Sequence, residues 1–233
     1  MKYTVDQWVF DKNPGVRFGI IVGKGIKNSE KTEEDSEILG KAELLLRSRI
    51  KPDNLKSHED IEVYRNALLS VGINPNKFMN SVEAMSKRVI KGDSLPRINA
   101  LVDRCNAIAL TEVISLGGHD LRDIDEDLEV RITTDADKFL PFGEEDFEQV
   151  KAGELVFISG NKIQTRQWLW RQSELGKVRL DSTDVFFQLV GFEGDHGKKF
   201  NRAMRALENL ISDRFEGSFE TYEVNRTNRS IEF

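Results

Sequence analysis

Apolar residues recur at every third or fourth position through much of the first half of the chain, which is the spacing of a helix with one buried face. This spacing predicts a helix over residues 33–50, and Thr32 with Asp35 has the capping-box pattern that begins a helix. The same signals predict three further helices: after Ser57, near residues 81–90 and after Pro96. The first half of the chain is therefore predicted to be mainly helical.

Short runs of alternating apolar and polar residues, separated by glycines, dominate the chain from Leu116 onward, and this pattern is typical of strands. The runs lie at residues 129–132, 154–159, 162–169 and 184–190. A β-branched run at residues 17–26 predicts one earlier strand at a buried sheet edge, and residues 198–214 have the spacing of a final helix. Together the elements predict an α+β fold, a single compact domain whose N-terminal half is helical and whose C-terminal half is a mixed or antiparallel sheet.

Composition narrows the classes of protein to consider. The chain has 233 residues, of which 39% are hydrophobic, so it can bury a sizeable core. Its 40 acidic and 34 basic residues give a formal charge of −6, which argues against a protein that coats nucleic acid by bulk charge. Any RNA contact must come from a local patch. The candidate patch is the start of the final predicted helix, with Lys198, Lys199, Arg202 and Arg205.

Several classes of site and location are disfavoured. No apolar run approaches the roughly 20 residues that span a bilayer, and the first residues lack the apolar segment of a secretory signal. The single cysteine, Cys105, cannot form an internal disulfide, and the three histidines lack the spacing of a zinc helix. We therefore expect a soluble, cytoplasmic protein without a metal or another cofactor.

Two glycines followed by a histidine form the first candidate for chemistry. Gly117 and Gly118 predict a turn whose backbone N–H groups are unshielded and could donate hydrogen bonds to an oxyanion. The imidazole of His119 could accept or relay a proton at neutral pH. The alternative is an ordinary Gly-Gly turn in which the histidine only caps a backbone carbonyl.

Two further patterns each leave two interpretations open. Asn99, Asp103 and Asn106 share one face of a predicted helix, where they line a pocket, pin the following loop through side-chain to backbone bonds, or are simply solvated. Trp168 and Trp170 alternate with arginine and glutamine in a predicted strand. That strand either presents an aromatic, cationic face to unpaired bases or buries one tryptophan with its arginines in water.

Six short motifs then occur in an order that resembles a known family. They are Ser81-Val82-Glu83-Ala84, Lys91-Gly92, Leu95-Pro96-Arg97-Ile98-Asn99, Val102-Asp103-Arg104-Cys105-Asn106, Gly118-His119-Asp120 and Trp168-Leu169-Trp170-Arg171-Gln172-Ser173. The order is similar to that of free-standing proteins built on the B3/B4 domain, the tRNA-editing domain of the phenylalanyl-tRNA synthetase β subunit. The resemblance covers residues 50–214. It leaves residues 1–49 as a strand and helix packed on this domain, and residues 215–233 as a tail or edge strand.

The resemblance implies an activity and a partner. The synthetase domain hydrolyses tyrosine wrongly esterified to tRNA, so this chain is expected to be a deacylase that acts in trans on the aminoacylated 3′ end of a tRNA. It has no aminoacylation core, so a ligase is not expected, and neither DNA nor a membrane is an expected partner. A non-catalytic module that binds tRNA or an amino-acid-like metabolite is the alternative.

The resemblance also implies residue roles. Gly117 and Gly118 would supply backbone donors, and His119 would position water or a ribose hydroxyl. The floor of the pocket would be lined by Asn99, Asp103 and Asn106. The ester or the phosphate side would be held by Arg171, Gln172 and Ser173. RNA would be contacted by Trp168, Trp170 and the four cations of the last helix. The synthetase's Gly-Gly-Glu turn is replaced here by Arg171-Gln172-Ser173, which implies another amino-acid preference or no editing.

Overall fold

The computed structural model describes residues 1–233 and contains six α-helices and two β-sheets. The helices are α1 (Gln7–Lys12), α2 (Glu33–Arg49), α3 (Glu59–Ser70), α4 (Ser81–Ile90), α5 (Ala100–Glu112) and α6 (Gly197–Asn209). The strands are β1 (Lys2–Val5), β2 (Val16–Lys24), β3 (Ser115–Asp120), β4 (Leu128–Ile132), β5 (Lys138–Phe139), β6 (Glu148–Gln149), β7 (Leu155–Ser159), β8 (Lys162–Arg166), β9 (Arg171–Gln172), β10 (Val185–Phe192), β11 (Ser218–Val224) and β12 (Ser230–Glu232). The predicted α+β class is confirmed.

The smaller sheet has four antiparallel strands in the order β11-β2-β10-β3. The prediction that residues 17–26 form an edge strand was wrong, because β10 and β11 both pair with β2. Its apolar residues are buried on both faces, as expected for an interior strand. β3 lies at the free edge of this sheet, and the helices α5 and α6 pack on one of its faces.

The larger sheet is mixed, in the order β12-β1-β4-β7-β8-β5-β6, with β9 paired to β8. Its parallel pairs are β1 with β4 and β5 with β8. Aromatic rings join the two sheets: the Tyr3 ring centroid lies 6.1 Å from that of Phe157 in the larger sheet and 5.4 Å from that of Phe186 in the smaller one. One continuous core therefore spans both sheets.

The predicted start of α2 is confirmed, because Thr32 and Asp35 exchange the two hydrogen bonds of a capping box. Asp35 is fully buried and also accepts from Arg104 Nε at 2.6 Å and from Arg214 Nη2 at 3.1 Å. Burial alone would raise the pKa of Asp35, but these hydrogen bonds hold it well below its usual range. This carboxylate ties α2 to α5 and to the turn after α6.

Tyr64 of α3 connects the helices to the free-edge strand. Its hydroxyl donates to the Val190 carbonyl at 2.6 Å and accepts from the Ser115 N–H at 3.0 Å. Ser115 and Val190 form the last residue pair between β3 and β10, so a side chain bridges this pair. Burial raises the pKa of Tyr64, which keeps its hydroxyl protonated and able to donate.

The final predicted helix is interrupted: α6 ends at Asn209 and a π-helical turn continues over Leu210–Arg214. None of the helices combines the length and the hydropathy that crossing a membrane requires.

Candidate functional site

The segment predicted as a Gly-Gly turn is the edge strand β3. In an antiparallel ladder, alternate residues point both backbone groups away from the partner strand. The Asp120 N–H donates outward to Gly176 O at 2.8 Å, and the Gly118 carbonyl accepts outward from Gln172 Nε2 at 3.0 Å. The N–H of Gly118 therefore also points away from β10, whereas that of Gly117 points toward it. The predicted turn implied two unshielded N–H donors, those of Gly117 and Gly118. In the strand only the Gly118 N–H is unshielded.

A cavity of about 510 Å³, here called the front cavity, opens beside this edge between β3, α5 and the segment 172–180. Its wall is mostly apolar, formed by Leu101, Val102, Cys105, Leu116, Val178 and Phe187. Its neutral polar side chains are Asn99, Asn106 and Gln172, and Gly117 and Gly118 also line it. Such a cavity has the size and apolar character of a small-molecule site.

Exposed apolar side chains surround the mouth of the front cavity. Ile98 is 53% exposed, Phe142 55% and Leu180 44%. The Lys177 ammonium lies 5.0 Å from the centre of the Phe142 ring, and Arg179 also lines the cavity. The mouth thus combines an accessible aromatic ring with two cations.

Two of the three polar residues predicted on one helix face reach this cavity. Asn99 lines it while capping α5, since its Oδ1 accepts from the Val102 N–H at 3.0 Å. Asn106 lines it, and its side chain makes no hydrogen bond within the protein. Asp103 does not line it, because its side chain is fully buried and its Oδ1 accepts from the Ile98 N–H at 2.8 Å. Its predicted place on the pocket floor is corrected: it pins the start of the helix.

No histidine or carboxylate lines the front cavity. Cys105 is on its wall, but burial raises the pKa of this thiol to about 12, so the thiol stays protonated and is a poor nucleophile. The cavity therefore offers hydrogen-bond donors and acceptors but no side chain that titrates near neutral pH.

His119 lies on the opposite face of β3. With Gly117, Thr165 and Trp168 it lines a small cavity of about 80 Å³, here called the rear cavity. The His119 ring is only 2% exposed and packs edge-on against Phe157, with centroids 5.0 Å apart. Burial lowers the pKa of His119 to about 4, so the imidazole is neutral at pH 7. The expectation that His119 shares one corner with the Gly118 donor is therefore corrected.

The strand predicted over residues 162–169 ends earlier, at Arg166. Gln167 and Trp168 have φ of 47° and 61°, and these left-handed conformations turn the chain before β9. Trp168 is 1% exposed and packs near Phe18, so no face of its ring can stack on a base. The RNA-binding role predicted for Trp168 is corrected. Trp170 is half-buried, with its ring centroid 5.0 Å from that of Phe78.

The three residues after Trp170 have different environments. Arg171 is exposed and lies over the Trp170 ring, 5.6 Å from its centroid. Gln172 lines both cavities. Ser173 is fully buried, where its Oγ donates to Leu140 O and accepts from the Leu175 N–H. Ser173 therefore stabilises a turn, which corrects its predicted contact with an ester or phosphate, and Gln172 is the one member of this group that reaches the front cavity.

Two of the four cations predicted to bind RNA are already paired. Lys199 bonds to the buried Asp60, and Arg202 donates three hydrogen bonds of 2.6 to 3.1 Å to Glu112. Lys198 and Arg205 are exposed and make no ion pair. Asp60 also faces two histidines at 3.6 and 3.4 Å, so His58 and His196 help to surround one buried carboxylate.

Sequence reasoning missed the segment Lys177–Leu180 and Phe142, which form much of the cavity mouth. The alternation of cationic and apolar residues in Lys-Val-Arg-Leu was a usable signal, since it placed two hydrophobic side chains in an otherwise polar connection.

Comparison with known proteins places the chain in a family. The family model described as the B3/4 domain matches residues 63–230. The solved N-terminal fragment of the phenylalanyl-tRNA synthetase β subunit from Pyrococcus horikoshii superimposes with a TM-score of 0.50 at 12% sequence identity. The match covers 95% of this chain and 53% of that one, so the chain spans about half of its length. No curated protein matches this chain. The resemblance read from the six motifs is thus confirmed, and the chain belongs to the B3/4 domain family.

Proposed function

We propose that the front cavity binds the acylated 3′ end of a tRNA and that the protein hydrolyses the ester in trans. The observation that carries the proposal is a cavity of about 510 Å³ with the Gly118 N–H at its edge. Membership of the B3/4 family and the fold shared with a synthetase β-subunit fragment support a tRNA-related role.

The absence of a side chain at Gly118 is central to this role. A Cβ at Gly118 would lie 3.3 Å from Phe187 and 3.4 Å from Val178, on the cavity side of the strand. Without it, an ester carbonyl can approach the backbone amide closely. A backbone N–H held in a strand is already oriented, so it can stabilise the developing oxyanion without reorganisation.

The reaction needs few protein groups because an ester is already activated. The oxygen of a water molecule bonds to the acyl carbon, and the oxyanion accepts a hydrogen bond from Gly118. The bond from the acyl carbon to the ribose oxygen then breaks, and that oxygen takes the proton that the water lost. Asn106 and Gln172 line the cavity and orient the water through their amides.

The cavity mouth supports contacts to the nucleotide part of the substrate. The exposed ring of Phe142 offers a surface on which the terminal adenine can stack. Lys177 and Arg179 lie at the same mouth, each in an ion pair with Glu174 or Asp123, so a backbone phosphate would compete with these carboxylates. Lys198 and Arg205 of α6 remain available for a more distant part of the tRNA.

A second candidate function is binding without catalysis. It is favoured by one observation: no side chain that titrates near neutral pH lines the front cavity, and His119 lies behind the strand. In that case the same cavity would hold the acylated end of a tRNA or an amino-acid-like metabolite.

The test is the rate at which the protein deacylates a panel of mischarged tRNAs, compared with Gly118→Val. We expect hydrolysis of at least one ester, reduced about 100-fold or more by the valine side chain, because it blocks approach to the oxyanion donor. Gly40→Val is the matched control, since a Cβ there meets only Arg97 Nη2, at 3.9 Å. Hydrolysis that Gly118→Val leaves unchanged would exclude the front cavity as the site. Tight binding of acylated tRNA without hydrolysis would support the second candidate.

A further inference from the structure

The front cavity contains no negative charge. Its charged lining residues are the cations Lys177 and Arg179, and its other polar side chains are neutral amides. An aminoacyl ester, by contrast, carries a positively charged α-ammonium group next to the reacting carbon. Burying a cation without a counter-charge is costly.

Two acidic residues are paired with the cations of the mouth. Glu174 contacts the Lys177 ammonium at 2.5 Å, and Asp123 contacts Arg179 Nη1 at 2.9 Å. Neither carboxylate lines the cavity. These two acids therefore compensate the mouth cations, and the exposed acids at residues 144–146, which follow Phe142, do not line the cavity.

Helix α5, which forms part of the cavity wall, carries two acids: Glu112, which is paired with Arg202, and Asp103. One of its oxygens accepts from the Ile98 N–H, and the other is buried without a partner. Burial raises the pKa of Asp103, which weakens it as a counter-ion. Its side chain does not reach the cavity surface.

Neutral amide groups suit a different ligand. The side chain of Asn106 makes no hydrogen bond within the protein, and the Oε1 atom of Gln172 is likewise without a partner, since only its Nε2 is used. An uncharged N–H or C=O next to the acyl carbon can exchange hydrogen bonds with such amides at no cost in unpaired charge.

We propose that the front cavity selects acyl groups whose α-nitrogen is uncharged, that is, N-acylated aminoacyl esters on the 3′ end of a tRNA. This inference rests on the proposed function. The reaction is the same ester hydrolysis: water adds to the acyl carbon, the bond to the ribose oxygen breaks, and the products are an N-acylamino acid and a tRNA with a free hydroxyl.

The test compares one tRNA charged with phenylalanine and the same tRNA charged with N-acetylphenylalanine. We expect kcat/KM to be at least about 10-fold higher for the acetylated ester, because the unpaired charge is removed. Equal or faster hydrolysis of the free aminoacyl ester would overturn the inference while leaving the proposed function intact.

A binding measurement separates this inference from catalysis. The same two acyl groups are attached through a stable 3′-amide, and the affinity of the protein for each tRNA is measured. Tighter binding of the acetylated analogue supports the inference even when neither ester is hydrolysed. The absence of hydrolysis would defeat only the proposed function. Equal affinity for the two analogues, or tighter binding of the free amine, overturns the inference.

Two matched variants complete the design. Asn106→Asp places a carboxylate on the cavity wall, so we expect the preference to shift about 10-fold toward the free amine. Asp103→Asn keeps the oxygen that accepts from Ile98, so the preference is expected to stay as in the unmodified protein. A selective loss of binding to the free amine in Asp103→Asn would contradict the inference.

Discussion

The two faces of β3 differ in almost every physical property although they belong to one strand. On the front face, Gly118 borders a cavity of about 510 Å³ that opens to solvent through exposed apolar side chains. On the rear face, His119 lines a cavity of about 80 Å³ among packed aromatic rings. Gly118 and His119 are neighbours in sequence but face opposite sides of the sheet, because successive side chains of a strand point to opposite faces.

The contrast assigns different tasks to the two faces. The front face has a solvent-accessible cavity and the unshielded N–H of Gly118, which are properties of a ligand-binding site. The rear face leaves a much smaller cavity and packs its side chains against buried aromatic rings, as is typical of a core. Substitutions should therefore change ligand binding on one side and stability on the other.

The largest effect on stability is expected from Trp168→Ala on the rear side. The ring is 1% exposed and packs beside Phe18, so its removal leaves a large void and should lower the free energy of unfolding by about 3–5 kcal/mol. Urea-induced unfolding followed by circular dichroism measures this change. Trp170→Ala is the matched comparison, since this ring is only half-buried and its loss should cost clearly less. Equal losses would show that the rear core does not extend to Trp168.

An intermediate effect is expected from pH, through His119. Its pKa is lowered to about 4 in the folded protein, against 6.5 for the free side chain. Between these values the unfolded chain binds a proton that the folded chain does not, so stability falls as the pH drops from about 6.5 toward 4. From pH 7.5 to pH 5 this histidine alone should remove about 2 kcal/mol.

The control for this pH dependence is His119→Gln, which does not titrate. We expect the difference in unfolding free energy between pH 7.5 and pH 5 to shrink in the variant by about 2 kcal/mol. An unchanged difference would mean that His119 is protonated as easily in the folded state as in the unfolded chain.

The smallest effect on stability is expected from Gly118→Ala on the front side. The new methyl group points toward the cavity, with its closest neighbour, Phe187, at 3.3 Å. Alanine also restricts the unfolded chain more than glycine does, so the free energy of unfolding should change by less than about 1 kcal/mol. Thermal unfolding of this variant beside Trp168→Ala sharpens the contrast. A loss comparable to that of Trp168→Ala would show that the front face is packed as tightly as the rear.

Local sequence signals predicted the elements well where one signal decides the structure. The capping box of Thr32 and Asp35 begins α2, and helices were correctly expected near α3, α4 and α5. Helical spacing grouped Asn99, Asp103 and Asn106 on one face; the two asparagines line the front cavity, whereas Asp103 is buried and does not.

The errors arose where a residue's role depends on distant parts of the chain. Gly117 and Gly118 suggested a turn, but pairing with β10 holds them in a strand. The interior position of β2 depends on β11, which is almost 200 residues away in sequence. Trp168 is buried because Gln167 and Trp168 adopt left-handed backbone conformations, which nothing in the local pattern indicated. The roles predicted for the site residues stay predictions until they are tested.

The Tyr64 hydroxyl that bridges Ser115 and Val190 has a mechanical consequence. Because one oxygen atom separates the two strands at that end, the spacing between β3 and β10 is set by a helix rather than by the sheet itself. A displacement of α3 would then be transmitted along the edge strand to Gly118, three residues further on, and would widen or narrow the gap beside its N–H, where the ester carbonyl of the proposed substrate would bind.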